Sequence, residues 1–277
     1  MTEMTHPEGE PQRPFIRSHR TPRPRFQMLR IISALMLREM TTTHGRSAGG
    51  YLWALVEPVL GIALLSTIFG LSVKNPGLGS NFPLFYASGF LPFVMFNDMS
   101  NKIAASIRFS KPFMAYPSVT FMDAMLARAI LNALTHCTVI LIVICGIFVI
   151  FQLPVQVRLG PVLESLLLLV MLAFGVGTLN CYLITAFPIW ERAWNIITRP
   201  LFLVSGIFFT MEMMPQAGRD ILWYNPIIHC IGLFRRGLYP TYEGAYISKT
   251  YVAGVSITLL FFGLLLLLRN YRTLMEN

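Results

Sequence analysis

Long apolar runs recur along this chain, at about 51–73, 84–107, 124–151, 161–187, 194–211 and 249–268. Each is near the length of about 20 residues at which a helix, rising about 1.5 Å per residue, crosses a hydrocarbon core about 30 Å thick. The run at 84–107 is the least apolar of them. Of the 277 residues, 55% are hydrophobic and only 13% are charged, where a typical soluble domain carries about 25% charged residues. One packed core cannot hold that excess, so lipid must be the solvent. The expected fold class is an all-α membrane protein with six transmembrane helices, unable to act as a soluble domain.

The distribution of charge sets the orientation. The formal net charge is +9, and eight of the 22 basic residues, all arginine, precede Tyr51. Basic segments beside apolar spans face anionic lipid on the cytoplasmic side, so no nucleic-acid partner is expected. With the N-terminus inside, the cytoplasmic segments hold those eight plus Lys102, Arg108, Lys111, Arg128, Arg192, Arg199, Arg269 and Arg272, 16 in all. The outer segments hold six: Lys74, Arg158, Arg219, Arg235, Arg236 and Lys249. This asymmetry predicts both termini in the cytoplasm and an even number of spans. Residues 1–25 mix prolines, arginines, glutamates and histidines without an apolar h-region, so they read as a disordered cytoplasmic tail, not a signal peptide. Residues 26–44 then show a helical period. Leu29, Ile32, Met36 and Met40 share one face, and Gln27, Arg30, Arg38 and Thr41 share the other. That pattern predicts an amphipathic helix in the membrane interface, the alternative being an ordinary cytoplasmic helix. Glu39 falls on the apolar side and needs a partner there.

The connecting segments differ in kind. Ile103 to Ala124 is polar and proline-bearing, with Lys111-Pro112, Tyr116-Pro117 and Asp123, and a short helix is expected at about 118–125. The outer segment 212–248 is too apolar for a solvated loop. Ile221, Leu222, Trp223, Tyr224, Ile227, Ile228, Ile231, Leu233 and Phe234 surround Pro226. Two short helices dipping into the outer leaflet would satisfy that composition, because backbone at such depth must be covered by protein or water. The four cysteines, Cys137, Cys145, Cys181 and Cys230, form no CxxC pair, so neither a zinc site nor a disulfide framework is expected. His229 and Cys230 stand too isolated for a metal site. Neither GxxxxGK[ST], HExxH nor GxSxG occurs, so any energy must come from a partner.

Several runs resemble a known family. Leu37-Arg38-Glu39-Met40, His44-Gly45 and Gly50-Tyr51-Leu52-Trp53-Ala54-Leu55-Val56-Glu57-Pro58 are similar to the approach to the first span of ABC-2 type permeases. The bacterial capsular-polysaccharide exporters are the most similar. Gly89-Phe90-Leu91-Pro92-Phe93 and Tyr224-Asn225-Pro226-Ile227-Ile228-His229 extend the resemblance to nearly the whole chain after residue 26. It implies a homodimeric permease subunit bound to two copies of an ABC ATPase, exporting a lipid-linked capsular polysaccharide across the bacterial inner membrane. It also implies periplasmic and outer-membrane export proteins as partners. No cofactor is expected on this chain, with ATP and Mg on the ATPase. In such permeases the path forms between two copies, largely from the first and fifth spans. The interface helix and first cytoplasmic loop rest on the ATPases, and re-entrant helices lie near the exit. Other ABC-2 cargoes (an O-antigen, a teichoic acid, a drug) and a membrane-embedded lipid or sugar transferase using Asp98, His136 or Glu57 are the alternatives.

The candidate residues follow from both lines. Tyr51 and Trp53 could serve as interfacial anchors or as rings on which sugar C–H faces slide. Glu57, one to two turns inside a span, costs about 2.5–3.5 kcal/mol unless paired or wet, with Arg38 and Arg46 as possible partners. Asn195 and Arg199 open the fifth span; Arg199 could attract an anionic chain or reach lipid phosphates. Asp98 and Lys102, four apart, are expected to neutralise each other. His136 reads as a packing residue without a paired acid nearby in sequence. Arg38, Glu39, Lys111, Tyr116 and Asp123 are the candidates for coupling to the ATPase.

Overall fold

A computed structural model describes residues 27–43, 50–72, 76–110 and 120–276. The tail expected at residues 1–25, together with Arg46, Lys111, Tyr116 and the side chain of Tyr51, lies outside the described residues. Among the described residues the regular structure is entirely helical. In order it comprises α1 (Gln27–Thr43), α2 (Gly50–Ser72), α3 (Phe82–Ala104), α4 (Ser106–Ser110), α5 (Phe121–Ile150) and α6 (Leu159–Ala186). There follow α7 (Ile189–Val204), a 3₁₀ turn (Met211–Met213), α8 (Gln216–Leu222), α9 (Pro226–Leu238) and α10 (Lys249–Glu276).

Among the described residues four helices are long and apolar enough to cross a membrane: Leu52–Leu71 of α2, the whole of α5 and α6, and Lys249–Asn270 of α10. The chain is thus a multi-pass membrane protein. Helix α3 has the length, at 23 residues, but Asn97, Asp98, Asn101 and Lys102 crowd its second half. The expected fifth span at 194–211 falls elsewhere. Helix α7 begins at Ile189 and stops at Val204 after 16 residues, because Gly206 turns into the left-handed region with φ of 83°. Sixteen residues reach about 24 Å. The short helix expected at about 118–125 is, over its described residues, the first turn of α5. Thr120 and Asp123 form a reciprocal capping box there: Thr120 Oγ1 accepts from the Asp123 N–H, and the Asp123 carboxylate accepts from the Thr120 N–H. That box fixes the start of the helix. The segment 212–248 does hold two helices, α8 and α9, the second beginning at Pro226.

Helix α6 is the hub, packing against α10, α3 and α9. Lipid tails are as apolar as leucine, so helices in a bilayer gain little from burial and depend on close backbone approach at small residues. Two glycines of α6 serve different neighbours. A Cβ on Gly175 would stand 2.5 Å from the Ser256 carbonyl oxygen of α10, and one on Gly177 would stand 2.9 Å from the Ser100 carbonyl oxygen of α3. A hydrogen bond of 2.7 Å from Ser165 Oγ to the Cys230 carbonyl adds α9. Helix α2 is the loosest span, with 11% of its apolar window buried against 39% for α6, and no residue of α7 is buried. Prolines lie inside α2 (Pro58), α3 (Pro92) and α7 (Pro200).

Because the atoms facing Gly175 are backbone, no rotamer change can make room. Gly175→Leu is expected to destabilise the protein by about 1–3 kcal/mol. Gly254→Leu, whose Cβ meets nothing within 4 Å, is expected to leave stability unchanged. Thermal unfolding of the two variants in the same detergent checks the contrast.

Candidate functional site

Charged and polar side chains from α1, α3 and α5 form a seam inside the bundle. Lys102 makes no direct ion pair with Asp98 among the described residues, although it lies close enough for its charge to act on that carboxylate. Its Nζ donates to Asn132 Oδ1 of α5 at 2.7 Å, and the Asp98 carboxylate instead approaches His136 Nε2 of α5 at 3.4 Å. His136 therefore does have an acid partner, supplied by another helix 38 residues earlier. Crossing partners win because α3 and α5 pack side by side and bring both polar faces together. One turn away, Arg128 Nη1 donates to the Lys102 carbonyl at 3.1 Å, and Arg128 Nη2 lies 3.2 Å from the Glu39 carboxylate of α1. The Phe109 ring lies 5.0 Å from the Arg128 guanidinium. Glu39 thus finds the partner that its place on an apolar face demanded, and α1 is tied to α5 by a charge pair whose arginine is buried. Arg38 sits half-buried on the same helix. Asp123 is buried with its carboxylate engaged in the helix cap.

Beside this seam lies a cavity of about 360 Å³ between α2, α3 and α5, lined among others by Trp53, Glu57, Asp98, Lys102 and His136. Trp53 and Glu57 are thereby brought together with the seam. Glu57 makes no ion pair among the described residues, with Arg38 or with any other. Asn195 lies apart from them, in a second cavity of about 600 Å³ between α3, α4, α6 and α7. Its walls include Asn101, Arg108, Glu191 and Trp194. Trp194 Nε1 donates to Asn101 Oδ1 at 3.1 Å, and Arg108 holds Glu191 in a two-bond fork of 3.0 and 3.3 Å. Arg199, one turn beyond Asn195, is exposed and pairs with no acid among the described residues.

In the segment 212–248, one arginine that sequence reasoning treated only as an orienting charge is fully enclosed. Arg235 of α9 is 2% exposed. Its three nitrogens donate to Ser88 Oγ (3.2 Å), the Phe209 carbonyl (2.9 Å) and the Ile207 carbonyl (3.1 Å). The Phe85 ring stacks 4.4 Å from its guanidinium. Gly89 makes room, since a Cβ there would stand 2.9 Å from the Ile207 Cα. The Gly89-Phe90-Leu91-Pro92-Phe93 run thus begins with the residue that lets α3 meet the segment after α7. The signal available in sequence was the placement of Arg235 among Ile231, Leu233 and Phe234. The Tyr224-to-His229 run has a comparable role. Asn225 caps α9 by accepting from the Ile227 N–H and donates back to the Val204 carbonyl at 3.2 Å. His229 Nδ1 accepts from the Ser248 N–H at 3.2 Å, which leaves the proton on Nε2 to reach the Trp223 carbonyl at 2.8 Å. Tyr242 donates to Glu212 at 3.2 Å. Burial pushes the neighbouring Tyr246 phenol up to about 12.

An all-helical, multi-pass protein with a polar seam beside α1 belongs to the class of integral membrane proteins. The particular family follows from the sequence match: residues 30–239 match the ABC-2 type transporter family, and the chain belongs to it. It is 29% identical over 242 residues to the polysialic acid transport protein KpsM of Escherichia coli, covering 87% of this chain and 92% of that one. It is 25% identical to the capsule polysaccharide export inner-membrane protein CtrC of Neisseria meningitidis, over 87% and 91% of the two chains. The corresponding protein BexB of Haemophilus influenzae is 24% identical over 86% and 89%.

A lysine at position 235 carries one ammonium where the guanidinium fork serves three acceptors. Arg235→Lys is expected to strand at least one buried carbonyl and to cost about 2 kcal/mol or more. Arg236→Lys, next to it, is expected to be neutral. Thermal unfolding of both variants tests the distinction.

Proposed function

We propose that this chain is the permease subunit of an ATP-driven exporter that moves a lipid-linked capsular polysaccharide across the bacterial inner membrane. The observation that carries the reading is the match to three capsule or polysialic acid export proteins over nearly their full length. The weaker similarity to the O-antigen export permease RfbA of Klebsiella pneumoniae, 24% over 84% of this chain, makes O-antigen the second cargo. Membership of the family disfavours a lipid or sugar transferase.

In this reading α3, and α7 with the segment behind it, complete six crossings, and both termini lie in the cytoplasm. Helices α8 and α9 dip into the outer leaflet as re-entrant elements, held by Arg235 and Asn225. The chain acts as a homodimer on two ABC ATPase subunits, which carry ATP and Mg, and it hands the polymer to periplasmic and outer-membrane proteins. The sparse burial of α2 and α7 supports a path beside them, with Asn195 and Arg199 of α7 contacting the passing chain. A sliding polymer needs many weak contacts, and an exposed arginine offers one for anionic sugars.

Coupling runs through α1. The Glu39–Arg128 pair carries displacement of the interface helix into α5, and the hydrogen bond of Arg128 to the Lys102 carbonyl carries it on into α3. Arg38, with Lys111 and Tyr116, completes the ATPase-facing group, and the buried Asp123 contributes by fixing the start of α5 behind it. Moving a two-state protein from 1:99 to 99:1 takes about 5.5 kcal/mol of differential binding, which nucleotide binding to the ATPases would provide.

Two experiments test these proposals. A strain lacking the gene is expected to lose surface capsule and to accumulate polymer inside, with recovery on complementation. Loss of O-antigen with intact capsule would favour the second cargo. Glu39→Arg and Arg128→Glu are each expected to lower surface polysaccharide at least tenfold at normal membrane levels, and the double reversal to restore a substantial part. Equal loss in all three variants, read by capsule immunoblot, would sink the coupling route.

A further inference from the structure

The anomaly in the seam is Glu57. It is a carboxylate inside an apolar helix with no partner among the described residues, while Asp98, Lys102 and His136 around the same cavity each have one. An unpaired charge in a membrane segment marks a ligand or a wet path. The cavity, at about 360 Å³, falls in the range of about 300–1,000 Å³ typical of small-molecule sites.

Its chemistry selects a cation on one side and an anion on the other. Trp53 and Glu57 are four residues apart on α2, so they stand on one helical face. An indole beside a carboxylate forms a receptor for an organic ammonium. Pro58 adds a third acceptor. Having no N–H, it leaves the Ala54 carbonyl, four residues back, without its helical donor, and Ala54 and Pro58 both line the cavity. On the opposite wall, Lys102 Nζ gives one of its donors to Asn132 and keeps two for an anionic oxygen. The surroundings select a lipid. Leu52, Leu60 and Leu64 of α2 and Leu134 and Leu141 of α5 expose apolar side chains to either side, where acyl chains would lie.

We propose that this cavity binds the headgroup of a zwitterionic amine phospholipid, with its ammonium between Glu57, Trp53 and the Ala54 carbonyl and its phosphate toward Lys102. The site is independent of the exported polymer. It rests only on the membrane placement of α2, α3 and α5, so it can stand or fall whichever cargo the protein carries.

The full chain, purified in detergent and stripped of lipid, would be titrated with phosphatidylethanolamine, its N-acetylated derivative, phosphatidylglycerol and water-soluble phosphoethanolamine. Bound ligand would be read by native mass spectrometry. Phosphatidylethanolamine is expected to be retained at least tenfold more tightly than the other three. Glu57→Gln is expected to reduce that retention at least tenfold while unfolding at the same temperature as the parent or higher, because it removes an unpaired charge. Trp53→Leu is expected to weaken retention severalfold. Retention by Glu57→Gln equal to the parent, or equal binding of the N-acetylated lipid, would overturn the ammonium site. Binding of phosphoethanolamine as tight as that of the lipid would overturn the lipid source.

Discussion

The structure depends on backbone meeting backbone at α6. Without a solvent to squeeze apolar helices together, what holds a bundle in lipid is contact close enough for dispersion and for hydrogen bonds to carbonyls. Gly175 and Gly177 bring α10 and α3 within that range on two faces of one helix, and Ser165 binds the third neighbour. Around this nucleus, α9 is pinned by Arg235. Helices α2 and α7 attach more loosely, through contacts that include Phe69 of α2 against Tyr86 of α3 and Phe202 of α7 against Phe90 and Phe93 of α3. The same feature that makes the nucleus firm therefore leaves the remaining two helices with their surfaces free.

Charge within an apolar bundle is the second constraint, and it is met by cross-helix pairing. Asp98 with His136, Lys102 with Asn132, and Arg128 with Glu39 and the Lys102 carbonyl each draw partners from different helices. Truncating one member of such a pair leaves its mate stranded, which costs more than the pair contributes. The seam thus fixes how α1, α3 and α5 lie against each other.

Much of this was legible in the sequence, and the failures share a cause. The amphipathic period pointed to the helix described as α1, and apolar length found α2, α5, α6 and α10. The composition of 212–248 foretold two helices about Pro226. Helix α7 ended early because Gly206, buried in an apolar run, takes a backbone turn that hydropathy does not register. Asp98 and Lys102 were paired by spacing along one helix, whereas partners across helices decide the outcome. Glu39 was recognised as needing a counter-charge, yet nothing in the sequence said that Arg128, 89 residues on, would supply it. Arg235 was misjudged for the same reason: its acceptors are carbonyls, which carry no signature in residue type.

The interior prolines have a mechanical consequence. Each leaves one turn without its backbone bond and bends more readily there. They sit in α2, α3 and α7. The glycine-packed shaft of α6 and its companions α5 and α10 have none in their interiors. Compliance is therefore concentrated in three helices and withheld from three, so a load applied at the membrane surface flexes the former about a stiff spine.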